Sequence, residues 1–365
     1  MKIAIPALYL DSNQINLVSV PEMHLISSTD NLIYSSVLRI KDISGTLDSQ
    51  IKYGTKLTIS YYDDESGKKL VECPLRIISF DKICSSAPTN IDELRVTAIS
   101  EWYFQQNAAR KAFYGSVAAI VKEATLKETF FSKKSIENSS DTQCLRYQLL
   151  EKPCDFLERI VNYALNDGSP MYLYCTVEKE LVLRSKKSIV SSTPVCTLVP
   201  FMDGKAEVSR NSQGRTLSMY SVAFYAKGAK ANATRKHVFS VKHTPDSQLS
   251  SIKTSAAISS IETEEELLVS SHSGDSASIT GWEVAPYDAI SSAISGDDKL
   301  DQELFSAVAI VPSTVATSVG LGAVVNLKMN DSRCPENGTY YIKYIDHQLN
   351  DGALYSKLHL VRIAQ

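Results

Sequence analysis

The densest chemistry in the chain lies near its end. "YIDHQLNDGALYSKLHLV", residues 344–361, carries His347 and His359 together with Asp346, Asp351 and Lys357. Imidazole beside carboxylate is the pairing that metal sites and general acid–base sites use, because imidazole titrates near neutrality and a carboxylate can fix its tautomer. The spacing argues against both uses. In an extended run successive side chains point to opposite faces, so Tyr341, Lys343, Ile345 and His347 share one face and Ile342, Tyr344, Asp346 and Gln348 the other. Asp346 and His347 therefore cannot form a dyad. His359, on the return strand, approaches His347 only in a suitable register. A metal would still need a third ligand, and a nucleophile would need a base-activated Ser or Cys in a strained turn; neither is local. "NDG" at 350–352 is a hairpin-turn signal that accounts for its Asn and Asp without chemistry. The stretch reads as the last hairpin of a β-structure.

Other patterns carry less. The chain has no G-x-S-x-G, H-E-x-x-H or G-x-x-x-x-G-K-[ST]. "GLGAVV" at 320–325 lacks the third glycine of a dinucleotide site and leads into a strand where such a site needs a helix, so it reads as a turn. Glu264–Glu266 and Asp297–Asp298 would offer paired carboxylates for glycoside hydrolysis, but adjacent like charges in polar sequence read as solvated faces or helix starts. The N-x-[ST] matches at Asn138, Asn232, Asn330 and Asn337 matter only in a secretory compartment. The seven cysteines, Cys73, Cys84, Cys144, Cys154, Cys175, Cys196 and Cys334, are odd in number and form no C-x-x-C pair; beside apolar runs they read as small buried hydrophobes. No catalytic, cofactor-binding or metal site is expected.

The elements that would hold these residues follow from periodicity. Over residues 1–104, "KLTISYYD", "KLVECPLRIISFDK" and "ELRVTAISEWYF" are β-runs separated by turn sequences, which predicts a β-barrel or sandwich. Residues 105–190 form a small α+β module. Val117, Ile120, Val121 and Ala124 recur at helical spacing behind a Ser116 cap, and Phe156, Leu157, Ile160, Val161 and Ala164 form the stripe of a second helix. Pro153 and Asp155 suit the first turn of that helix and Gly168 its end. "PMYLYCTVEKELVLRS" then predicts a hairpin turning at Glu178–Glu180. Strand signals resume over 191–240 and 308–365. Between them, 241–307 reads as a Ser/Thr-rich insertion ending in a helix over "DDKLDQELFSAVAIV", with Leu300, Leu304, Phe305 and Val308 on one face. The expected fold is α+β but mainly β: two antiparallel barrels, the second discontinuous, around a small α+β module.

With 365 residues and 40.2 kDa the chain is long enough for two or three such modules. A net charge of −3 and a pI near 6.1 supply no basic footprint for a phosphate backbone. The first residues do not read as a signal peptide, and no run reaches the ~18 apolar residues of a membrane span, so synthesis in the cytoplasm without direct membrane insertion is expected.

The segment "CLRYQLLEKPCDFLERIVNYALNDGSPMYLYCTVEKELVLRSK" resembles the signature region of baseplate or tail hub proteins of contractile-tailed bacteriophages, a region shared with the hub-like part of type VI secretion spike proteins. Those proteins carry a D-F-L-x-R-[IL] helix, then a glycine and a β-hairpin; Asp155, Phe156, Leu157, Arg159, Ile160 and Gly168 occupy these positions. The ending is similar too, with Gly338, Tyr340, Ile342, Ile345, His347 and Tyr355 following the family's G-x-Y-x-[VI]-x-x-[VI]-x-H … Y pattern, and Gly54 stands before a strand as in the family. "PLRIISFDK" departs from it, lacking the glycine often found between the apolar residues. The resemblance implies a structural hub without catalysis: two similar barrels per subunit, a homotrimer of six barrels docking on a hexameric tail tube and adapting it to a threefold central spike. It also implies baseplate wedge and tape measure partners, and DNA passing only transiently through a lumen in the virion. A carbohydrate-binding or adhesion β-protein, favoured by 18 tyrosines and 10 phenylalanines, and a cell-wall hydrolase are the alternatives.

Overall fold

The computed structural model describes residues 4–42, 47–63, 66–83, 92–201, 207–212, 214–226, 237–242, 249–253, 263–265 and 305–363. Its N-terminal strands follow the Ile/Val/Leu/Tyr runs: β1 (Ala4–Leu10), β2 (Asn13–Ile15), β3 (Glu22–Ser28), β4 (Ser35–Lys41), β5 (Lys56–Asp63), β6 (Lys69–Ile83) and β7 (Glu93–Ser100), with helix α1 (Leu47–Gln50) before β5. In β3 and β4 every second residue is buried, the mark of a sheet with one face on a core. Gly54, at φ +85°, turns the chain into β5 where a Cβ would lie 3.1 Å from the Phe104 ring. "EWYF" does not extend β7 as expected. It forms helix α2 (Glu101–Gln105), whose Trp102 is buried against Phe131, ring centroids 4.8 Å apart.

The middle of the chain forms β8 (Ala109–Gly115), α3 (Val117–Ala124), β9 (Lys133–Ile136), β10 (Cys144–Glu151), α4 (Pro153–Val161), β11 (Leu165–Asn166), β12 (Ser169–Cys175), β13 (Glu180–Ser185) and α5 (Lys186–Val190). Both predicted helices are present. Ser116 Oγ accepts from Ala119 N at 3.4 Å to cap α3, and Pro153 occupies the first turn of α4. Gly168 does not end α4, which stops at Val161. With Asp167 (φ 49°) and φ +73° of its own, Gly168 forms the tight turn joining β11 to β12.

Then follow β14 (Cys196–Pro200), β15 (Glu207–Asn211), β16 (Gly214–Met219), β17 (Ser221–Ala226), and β18 (His237–Lys242), β19 (Leu249–Lys253) and β20 (Thr263–Glu265), the last three forming a small sheet. The expected helix over "DDKLDQELFSAVAIV" is corrected: residues 305–311 are strand β21 (Phe305–Val311), and Asp297, Asp298, Leu300 and Leu304 lie outside the described residues. Ala307, Ala309 and Val311 are buried at period two between β17 and the last strand, which fits a sheet and not a helix stripe. Helix α6 (Ser313–Val319), β22 (Val324–Leu327), β23 (Gly338–Asn350) and β24 (Ala353–Arg362) complete the chain.

Among the described residues, fifteen strands join in one mainly antiparallel curled sheet. Its path runs β15, β16, β14, β22, β23, β3, β4, β7, β6, β5, β1, β2, and β24, β21 and β17 continue from the other edge of β23. The N-terminal arc curls around a core that includes Leu8, Leu25, Leu38, Ile59 and Ile77, and the C-terminal arc around one that includes Leu198, Leu217, Val325, Ile342 and Leu360. Strands β12 and β13 lie between the two. Met171, Leu173, Cys175, Leu181 and Leu183 belong to the first core, while Tyr172, Tyr174 and Val182 belong to the second. Burial on both faces is why "MYLYC" reads as a continuous apolar run and not as an alternation.

Candidate functional site

Two places collect the residues singled out in the sequence. The first is α4. Phe156, Leu157 and Ile160 are wholly buried, and the Phe156 ring lies 5.2 Å from that of Phe113 on β8. Arg159 leaves this face. Its guanidinium donates to Glu151 Oε1 at 2.6 Å and Oε2 at 3.3 Å and to the Tyr147 carbonyl at 2.8 Å, tying the helix to the end of β10. Asp155 sits at the positive end of the helix. Glu158, which the sequence reading did not single out, accepts from Leu32 N at 2.8 Å and so fastens α4 to the loop between β3 and β4. Burial raises the pKa of the Glu158 carboxyl. The D-F-L-x-R-I run is thus a rivet between module and N-terminal arc.

The second place is β23, which carries the opening hairpin. Its first half, to Tyr341, pairs with β22; its second half, from Tyr344, pairs with β3; and β24 runs along its other edge. One strand therefore belongs to both arcs. Between the two halves Lys343 forms a one-residue bulge. The bulge reverses the expected phase: Tyr340 and Ile342 share the core-facing side with Ile345, His347 and Leu349, whose cross-strand partners Leu358, Ser356 and Leu354 alternate without interruption. Tyr341 and Lys343 do not share the face of His347, contrary to the strict alternation.

On the inner side His347 is 1% exposed, bonded through Nδ1 to Ser356 Oγ at 2.8 Å, with its ring 5.4 Å from Tyr61 of β5. Burial holds its pKa down to about 4. On the outer side Asp346 lies 3.0 Å from His24 Nδ1 of β3 and accepts from the Gln348 amide, and His24 Nε2 reaches Glu22 at 3.2 Å. Asp346 and His347 point to opposite faces, as the alternation requires. His359 does not meet His347: it stands opposite Tyr344, ring centroids 4.7 Å apart, while Ser356 stands opposite His347. Among the described residues no three His, Cys, Asp or Glu side chains are placed to hold a metal ion.

The remaining signature residues are structural in place. Tyr340 is buried and donates to the Glu336 carbonyl at 2.7 Å. A Cβ on Gly338 would lie 3.4 Å from the Arg362 guanidinium. Tyr355 pairs across from Gln348. Asp351 (φ 46°) and Gly352 (φ 81°) form the two-residue turn that "NDG" predicts. The four cysteines Cys73, Cys154, Cys175 and Cys196 are buried, Cys144 and Cys334 partly so, all as free thiols; Cys84 lies outside the described residues. No helix among the described residues is long and apolar enough to cross a membrane.

No protein-family model matches the chain. No curated protein matches it either. Solved structures do. A tail protein from Neisseria meningitidis MC58 aligns over 99% of this chain and 97% of its own, with TM-score 0.56 at 12% identity. The 43 kDa tail protein of prophage MuSo2 from Shewanella oneidensis aligns over the same shares with TM-score 0.56 at 11% identity. The E. coli c3393 protein, a type VI secretion component described as similar to the T4 tail proteins gp27 and gp5, aligns over 95% of this chain and 74% of its own, with TM-score 0.50 at 8% identity. Over nearly the whole chain, then, the fold is similar to that of these two tail proteins and of the type VI secretion component.

Proposed function

We propose that the chain is the baseplate hub of a contractile phage tail or a phage-like injection machine. Two barrels per subunit, built from residues 1–104 and from 191–240 with 305–365, form a homotrimeric ring that adapts the sixfold tail tube to the threefold spike. The second piece starts at Phe305, three residues earlier than the periodicity suggests, because β21 starts there. The observation that carries this reading is β23: a sheet continuing edge to edge from one arc into the next through a single strand is what a ring wall requires. The α+β module, riveted to the N-terminal arc by α4, faces the spike. The lumen admits tape measure protein and then DNA, and wedge components bind outside. Its place is the tail of the virion, after assembly in the host cytoplasm.

The test is nucleation. Mixed with the tail tube protein and the spike protein of the same particle, the purified chain should co-sediment with both and seed tube rings visible by electron microscopy. Failure to bind either would overturn the reading.

A further inference from the structure

Strands β4 to β7 and β21 to β24 repeat one another. β4 pairs β7 as β21 pairs β24, β5 pairs β6 as β22 pairs β23, and β6 pairs β7 as β23 pairs β24. The match reaches single hydrogen bonds. Gly54 N donates to the Ile77 carbonyl at 2.8 Å and Ile77 N to that of Thr55 at 3.0 Å; Gly322 N donates to Ile342 and Ile342 N to Ala323, both at 2.9 Å. Immediately afterwards each long strand bulges by one residue, at Ile78 in β6 and at Lys343 in β23. β3 lies beside β4 as β17 lies beside β21, so β17 is the counterpart of β3.

The repeat departs in one respect. Beyond its bulge β23 is flanked by β24 and β3, whereas β6 beyond its bulge has only β7 among the described residues. Ser79, Phe80, Asp81 and Lys82 are exposed there. Phe80 is 37% exposed where its counterpart Ile345 is 2%. β17 has β21 as its strand partner among the described residues, and its Ser221, Ala223 and Tyr225 are exposed, Tyr225 at 54%. Two different open edges on one chain are the requirement for a heterologous contact that can close a ring.

We propose that β6 beyond its bulge pairs with β17 of a second copy of this chain, repeating between copies the β23–β3 junction made within one. The inference rests on the ring reading above and adds its interface. Carrying the register over, Ile345 opposite Ser27 becomes Phe80 opposite Ala226, and Asp346 opposite Ile26 becomes Asp81 opposite Tyr225. Phe80 then leaves solvent as Ile345 does.

The register makes the test sharp. Thr29 N donates to the Lys343 carbonyl and Asp351 N to that of Pro21, which makes Ile26–Asp346 a pair without direct hydrogen bonds. Its Cα atoms therefore lie about 4.5 Å apart, within disulfide reach. Chains carrying Asp81→Cys and chains carrying Tyr225→Cys, tagged to differ in size, are mixed and oxidised with oxidised glutathione. The expected result is a shift to the mixed two-chain band, with the doubly substituted chain closing into a covalent ring. Ser221→Cys replaces Tyr225→Cys as the out-of-register control, and Phe80→Glu should abolish the mixed band without loss of the far-UV circular dichroism. Equal cross-linking through Ser221→Cys, or pairs of Asp81→Cys chains in excess over mixed ones, would overturn the junction. Light scattering of the unmodified chain, alone and with its spike protein, separates the two readings: an oligomer that cross-links out of register removes the junction alone, and a chain that stays monomeric in both conditions and does not cross-link in either removes both.

Discussion

His347 gives the most quantitative prediction. It is sealed beneath β23 against Tyr61 and Ser356, and burial lowers its pKa from 6.5 to about 4. The fold therefore holds the neutral ring, and as pH falls the unfolded chain takes up the proton first. The stability contributed by neutral burial is present in full above pH 6.5 and is lost as pH falls towards about 4, with no further loss below. At about 1.4 kcal/mol per pKa unit the full loss is ~3 kcal/mol, of which about 2.5 falls between pH 7.5 and 4.5. The assay is urea unfolding followed by tryptophan fluorescence at both pH values, for the natural chain and for His347→Gln. Comparing the two chains cancels the carboxylates, which titrate in both. The natural chain should lose about 2.5 kcal/mol more than the variant on acidification; parallel losses would refute the buried neutral histidine. Removing the same ring by His347→Ala opens a cavity at the joint of two arcs, and a loss of about 2–4 kcal/mol is expected by urea unfolding.

Other residues give shorter tests. Phe156→Ala, which deletes a wholly buried ring stacked on Phe113, should cost about 3–5 kcal/mol by the same method, and Phe156→Asp should leave no folded protein in circular dichroism. Gly322→Ala forces a left-handed residue (φ +73°) and sets a Cβ against the Tyr174 hydroxyl. It should cost more than about 2 kcal/mol, and less in a Tyr174→Ala background, so a double-mutant cycle should show coupling. Arg159→Lys keeps the charge but loses the two-point contact with Glu151, and a drop of about 1 kcal/mol is expected in thermal unfolding.

Much of this architecture is written in local pattern. The α4 stripe as far as Val161, the Ser116 cap, the "NDG" turn and the N-terminal β-runs short of "EWYF" depend on neighbours a few residues apart, and these are present as read. What local pattern does not carry is pairing across distance. The Lys343 bulge leaves no mark among Tyr, Ile and Lys, yet it reverses which side chains face the core. "FSAVAIV" is short and apolar enough for either period, and only its position between β17 and β24 makes it a strand. "EWYF" becomes a helix because Trp102 finds its pocket against Phe131, a contact 29 residues away in sequence. The separation of His347 from His359 was a question of register, which the bulge and the β23–β24 ladder settle. Glu158 escaped notice because its partner is a backbone amide on another module.

The central claim is the ring, and the most direct measurement is the mass of the purified chain by light scattering, alone and with its spike protein, with negative-stain images of the same peak. The account predicts a particle of about three times 40.2 kDa with a central hole, formed alone or on the spike. A chain that stays monomeric in both conditions would contradict it.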